Sequence, residues 1–180
     1  LFPQTTLTAS ATTYSGTCGD NLTWTLVDGV LTVSGSGEMP YYEPELAPWY
    51  DQSEAIEKIV ISEGITSIGL DAFSSCPDLR EIYLPTTLES ISGGEGIAFY
   101  GCNALERVSV GAMVESVGEY AFCGCSSLKE VAIPRGVVSL EGWAFRDCSA
   151  LENVALPESI AAVKKGAFWG CSSLKEFALP

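Results

Sequence analysis

Seven cysteines and no histidine set the terms for any chemistry in this 180-residue chain. A Ser or Cys nucleophile normally works beside an imidazole base, and that arrangement is unavailable here. Five of the thiols, Cys76, Cys102, Cys125, Cys148 and Cys171, are spaced by 26, 23, 23 and 23 residues. That is a repeat position, not a metal-ligand spacing. A Cys at one fixed place in a packed repeat behaves as a small buried apolar residue. The spacing predicts a ladder of free buried thiols, with some cross-linking as the alternative. Cys18 and Cys123 stand outside the column, and their pairing stays open. Glu43, Glu45 and Asp51 are close in sequence but lack EF-hand spacing, so they read as solvated charge, not as a calcium site. Acidic pairs are many, yet none is marked as a convergent acid–base pair. The run GSGE at 35–38 lacks the context of a phosphate loop. No catalytic residue, metal site or cofactor is therefore expected.

Binding chemistry has better candidates. Tyr83 is an aromatic among small residues, and Tyr is enriched at interface hot spots. Tyr100, Tyr120, Trp143 and Trp169, from the columns just before Ala and just after Phe of a repeated Ala-Phe pair, could together line one edge and suit protein or glycan contact. In each case the alternative is structural: an exposed Tyr of little consequence, or rings packed between successive turns.

The elements that must position these residues are repeats. Ala-Phe recurs at Ala72, Ala98, Ala121, Ala144 and Ala167, each pair followed by a Cys three residues on and a Leu three beyond that. Alternating apolar pairs come next: Ile82/Leu84, Val108/Val110, Val131/Ile133, Val154/Leu156 and Phe177/Leu179. A period of about 20–29 residues rich in Leu and Ile is the mark of a leucine-rich solenoid. Strands are expected at these pairs and at Ile59–Ile61, with AFxxCxxL turning the chain back through a short helical or 3-10 turn. The residue between each apolar pair should face out: Val60, Tyr83, Ser109, Ala132, Ala155 and Ala178. A second apolar pair, three apart, follows each strand (Ile65/Ile68, Leu88/Ile91, Val114/Val117, Val137/Leu140, Ile160/Val163). SGGEGI at 92–97 makes one repeat longer and, being Gly-rich, is expected to bulge out as a loop.

Before the repeats, residues 1–15 read as a flexible segment and 16–53 as a cap with its connection to the repeats at 54–180. Leu22–Val27 and Val30–Ser34 alternate around Asp28-Gly29, a hairpin signal because Gly tolerates the positive φ of a tight primed turn. The stretch EMPYYEPELAPWYDQ reads as irregular, with room for one helical turn.

Charge supports stacking. The net charge of −14 makes nucleic acid an unlikely partner, and no run approaches the roughly 18 apolar residues of a membrane helix, so no membrane insertion is expected. The position after each repeat Leu reads Glu57, Arg80, Glu106, Lys129, Glu152, Lys175, alternating in sign at every step. The next reads Lys58, Glu81, Arg107, Glu130, Asn153, Glu176. Equivalent residues of parallel strands lie about 4.8 Å apart, where opposite charges attract. Six strands in parallel register are expected.

The motif AFxxCxxLxxIxLP over residues 56–180 resembles the BspA-like, or Treponema pallidum-type, leucine-rich repeat family. The leading segment CGDNLTWTLVDGVLTVSGSGEMP is similar to the start of secreted proteins of gut Firmicutes that carry these repeats. The resemblance implies a curved right-handed solenoid of about five 23-residue repeats, a parallel sheet on its concave face and a β-hairpin cap. It also implies export, surface display and adhesion to host or bacterial protein or glycan. It supplies no catalytic residues to carry over. The departures are the SGGEGI insertion, Gly111 where Pro is usual, and a chain that stops in the sixth strand. That last departure suggests self-association through an uncapped C-terminal edge. The alternative function is a structural spacer displaying a further domain beyond residue 180.

Overall fold

The computed structural model describes residues 12–43 and 45–178. Nine strands form one sheet: β1 (Thr13–Gly19), β2 (Leu22–Val27), β3 (Val30–Gly35), β5 (Lys58–Ile61), β7 (Glu81–Tyr83), β9 (Arg107–Ser109), β11 (Glu130–Ala132), β13 (Asn153–Ala155) and β15 (Glu176–Ala178), in that order across the sheet. Six form a second: β4 (Gly37–Glu38), β6 (Ile65–Ile68), β8 (Ser90–Glu95), β10 (Ser116–Glu119), β12 (Ser139–Leu140) and β14 (Ala162–Val163). The chain is a leucine-rich repeat solenoid, mostly strand and turn. Each coil gives one strand to each sheet, and the core lies between them.

The expected strands fall within one residue of their places, in parallel register: Glu130 opposes Arg107 on one side and Asn153 on the other. The second apolar pairs form the second sheet, which sequence reading did not assign. Its strands are two to six residues long, and β6 buries Ile65 and Ile68 at its two ends.

Asp28 (φ 48°) and Gly29 (φ 78°) both take positive φ, and the hairpin β2–β3 forms as expected. The cap is larger than a hairpin. β1 pairs antiparallel with β2, so Thr13–Ser15, expected to be flexible, belong to a strand. Residues 1–11 of that segment lie outside those described. β3 then pairs parallel with β5, passing sheet order from cap to repeats. A 3-10 turn over Tyr50–Ala55 closes the connection.

SGGEGI does not leave the fold as a loop. Ser92–Glu95 lengthen β8, and the extra residues are taken up as an irregularity between two pairings with β10, Val117 to Ile91 and Glu119 to Glu95. Leu179 and Pro180 of the expected sixth strand lie outside the described residues.

The repeated residues explain themselves in the core. Each Phe N–H donates to the Ala carbonyl of the next coil: Phe99 to Ala121, Phe122 to Ala144 and Phe145 to Ala167, at 2.8–2.9 Å. The AFxxCxxL run is a series of tight turns, not a helix, closed by bonds such as Cys125 N–H to Phe122 O at 3.3 Å. Two residues after each Phe the backbone goes left-handed, at Ser75, Gly101, Gly124, Asp147 and Gly170, with φ between 58° and 77°. The rings stack from coil to coil: Trp49 on Phe73, then Phe99, Phe122, Phe145 and Phe168, with centroids 5.2–5.6 Å apart. Trp49 thus acts as the first rung. Its indole N–H donates to Ala72 O at 2.8 Å, and Trp24 and Tyr42 meet it edge-on.

Candidate functional site

The thiols are structural. All seven are free and buried. From the second thiol of the column onward, each Sγ–H donates to the Phe carbonyl of the preceding coil: Cys102 to Phe73, Cys125 to Phe99, Cys148 to Phe122 and Cys171 to Phe145, at 3.1–3.3 Å. Burial pushes Cys76 up to about 12 and Cys171 up to about 11, and holds Cys102, Cys125 and Cys148 well above the ordinary thiol value. Cys18 is pushed up to about 11 by burial, and Cys123 is raised by burial against the opposing charge of Arg146. A thiol acts as nucleophile or ligand only as thiolate, so none of these is poised to react. Among the described residues no three Asp, Glu or Cys side chains converge to hold a metal.

The outward face of the nine-stranded sheet is different. In β7 the alternation of the strand buries Ile82 and turns Glu81 and Tyr83 outward. Tyr83 is 50% exposed, yet it is not loose. Its hydroxyl donates to Glu81 Oε2 at 3.2 Å, and Lys58 Nζ sits 4.3 Å from its ring centroid. Lys58 also pairs with Glu81 at 3.6 Å. Beside this group lies a hollow of about 300 Å³ lined by Glu81, Tyr83, Arg107, Ser109, Glu130 and Ala132. It opens where the ladder between β7 and β9 is reduced to one pair, Glu81 with Arg107. The small side chains of Ser109 and Ala132 leave the space that Tyr83 borders. Arg107 stands in register between Glu81 and Glu130. Among the described residues it nonetheless makes no ion pair within 4 Å.

Two of the four edge aromatics are in ring contact. Tyr120 and Trp143 stack at 5.4 Å and 7°, with Lys165 Nζ 5.9 Å from the Trp143 centroid. Tyr100 and Trp169 are 46% and 68% exposed. They belong to another column, whose intervening coils carry Cys123 and Arg146. Sequence reasoning missed Arg107 and Lys58 as companions of Tyr83. Their signal was present in the charge columns, where it was used only for stacking.

The sequence profile of the BspA type leucine-rich repeat region matches six copies, over residues 49–95 and 94–180. The chain belongs to this family. No curated protein matches it. Three solved structures share the fold. The Treponema pallidum leucine-rich repeat protein is 23% identical, with a TM-score of 0.68 over 81% of this chain and 72% of its own. A leucine-rich cell surface protein from Faecalibacterium prausnitzii is 19% identical, TM-score 0.54, over 93% of this chain and 54% of its own. A leucine-rich repeat protein from Eubacterium ventriosum is 17% identical, TM-score 0.50, over 88% of this chain. This chain spans 64% of the length of the last. A BspA-type repeat array of this kind has a binding or structural role. No helix among the described residues is long and apolar enough to cross a membrane.

Proposed function

We propose that the chain is a non-enzymatic binding module, displayed outside a bacterial cell, that holds a protein or glycan ligand on its nine-stranded sheet around Tyr83. The observation that carries this is the hollow itself. A half-exposed aromatic is held upright by Lys58 and Glu81, beside a guanidinium that no carboxylate among the described residues engages within 4 Å. Tyr and Arg dominate interface energetics because they combine large contact area with directed hydrogen bonds. Surface display is supported by the family and by the cell surface protein from Faecalibacterium prausnitzii that shares the fold. The continuous ring stack from Trp49 to Phe168 also suits a stiff spacer, which is the second reading.

The experiment screens the chain against arrays of host and bacterial glycans and against a displayed peptide library. Tyr83→Ala and Arg107→Ala are compared with the native chain and with Trp169→Ala. Binders lost in the first two variants and kept in the third are expected. Binders indifferent to Tyr83 and Arg107 would move the function off this face, and no binder at all would favour the spacer.

A further inference from the structure

We infer, resting on the sheet-face reading, that the ligand held there is an acidic glycan, its carboxylate or sulfate gripped by Arg80 and Arg107 of adjacent coils. The coil from Glu81 to Arg107 is 26 residues long, where those before and after it are 23. One residue pair joins β7 to β9, where three join β5 to β7, β9 to β11 and β11 to β13. Across this seam the alternating columns set Arg80 beside Glu106 and Glu81 beside Arg107. Neither ion pair forms within 4 Å. Both carboxylates are engaged by lysines instead. Lys58 holds Glu81 at 3.6 Å, with the Tyr83 hydroxyl donating to the same oxygen, and Lys129 holds Glu106 at 3.2 Å.

Arg80 and Arg107 border one hollow of about 190 Å³ with Glu81 and Glu106. Since each of those carboxylates has its lysine, the hollow keeps two exposed guanidiniums without a counter-charge. Glu57 and Glu130, the next carboxylates along the two columns, do not line it, and neither comes within 4 Å of a guanidinium. Two unengaged forks on one space suit a carboxylate or sulfate, whose oxygens accept guanidinium N–H groups in pairs. The hollow shares Glu81 and Arg107 with the 300 Å³ space beside Tyr83. There Tyr83 offers an aromatic wall, Ser109 a hydroxyl and Glu130 a carboxylate that no lysine or arginine among the described residues holds. Sugar hydroxyls donate to such a carboxylate, and the apolar face of a sugar ring packs on an aromatic; an acidic side chain brings Glu130 no donor. An extended peptide would also seek a free strand edge, and β7 and β9 are interior strands of their sheet.

The test titrates the ¹⁵N-labelled chain with tetragalacturonate, with its neutral methyl ester, with a sulfated galactose tetrasaccharide and with tetraglutamate. Shifts at residues 80, 83, 107 and 109 are expected with one or both acidic sugars, and with neither the ester nor tetraglutamate. Which acidic sugar binds tells carboxylate from sulfate. Arg80→Gln and Arg107→Gln, at exposed positions, should each weaken that sugar about tenfold, the loss of one charge-assisted contact, while the urea midpoint stays unchanged. No shift with either acidic sugar, an equal response to the methyl ester, or full affinity in Arg80→Gln would overturn the assignment. Equal or tighter binding of tetraglutamate would overturn it too, in favour of an acidic peptide. Arg80 has no part in the sheet-face reading. A neutral binder lost in Tyr83→Ala and kept in Arg80→Gln would therefore refute the anion clamp and leave that reading standing, and a binder indifferent to Tyr83, Arg80 and Arg107 would refute both.

Discussion

Replacing Phe122 by Ala should show how this fold is held together. The ring is fully buried and stacked between Phe99 at 5.2 Å and Phe145 at 5.4 Å. Truncating a buried Phe costs about 3–5 kcal/mol through lost transfer energy and the cavity left behind. The two stacked contacts are each worth roughly 0.5–1.5 kcal/mol of specific geometry, part of which that range already contains. A domain of this size is stable by about 5–15 kcal/mol, so one truncation removes a large share. In a solenoid each coil touches only its neighbours, so the cut also weakens coupling between the two halves. Urea unfolding reads both effects. Trp24 and Trp49 report the cap and Trp143 and Trp169 the later coils, so single-Trp versions followed by fluorescence should give midpoints that separate in Phe122→Ala and coincide in the native chain. Phe122→Leu, which keeps most of the volume, should lose less than about 1.5 kcal/mol. A loss under about 1 kcal/mol for Phe122→Ala, well below the usual range, would refute the idea that the ring stack is the continuous core.

Lys129→Glu places a carboxylate in register between Glu106, now 3.2 Å from Lys129, and Glu152, whose carboxyl Lys175 and Lys129 together hold below its usual range. The urea midpoint should fall at low salt, and the effect should shrink in 1 M NaCl, where the screening length drops to about 3 Å; a salt-independent change would contradict the stacking. The thiols give a pH dependence whose sign follows from their raised values. The folded chain keeps protons that the unfolded chain releases, so their contribution is whole below the ordinary thiol value of 9.0 and declines as pH climbs from there through the folded values, about 11 for Cys171 and about 12 for Cys76. Cys125→Ala should flatten that decline in urea midpoints measured from pH 7 to 10.5. A disulfide-forming thiol reagent should react slowly with native protein and fast in denaturant; prompt labelling of Cys102 or Cys125 in the native state would show that the column opens.

The repeat strands β7, β9, β11 and β13 were legible because each has one buried residue, such as Ile82 or Val131, between two exposed ones, at a period that five columns repeat. The second sheet was not. In Ile65–Ile68 both ends are buried and the middle is not, which alternation cannot describe, and β12 and β14 are only two residues long. β1 escaped notice because the residues Thr13–Thr17 are all exposed, so no apolar face marks them. The Gly-rich insertion read as a loop because Gly weakens strands on average, yet here Glu119 of β10 supplies a partner for Glu95. Tyr83 was placed on the right face, but a sequence column does not show that Lys58 covers its ring.

The rows of alternating charge carry a consequence for how such a chain can change length. Backbone bonds, ring stack and thiols repeat with every 23-residue coil, but Glu106, Lys129, Glu152 and Lys175 repeat only with every second coil. The array is a superlattice, its cell doubled by charge. Removing one coil would leave every ring and thiol in place yet set Glu beside Glu or Lys beside Lys; removing 46 residues would restore both orders at once. AFCGCSSLKE at 121 and AFWGCSSLKE at 167 are separated by that doubled cell, so two coils, not one, are the unit by which this surface can be copied without a fault.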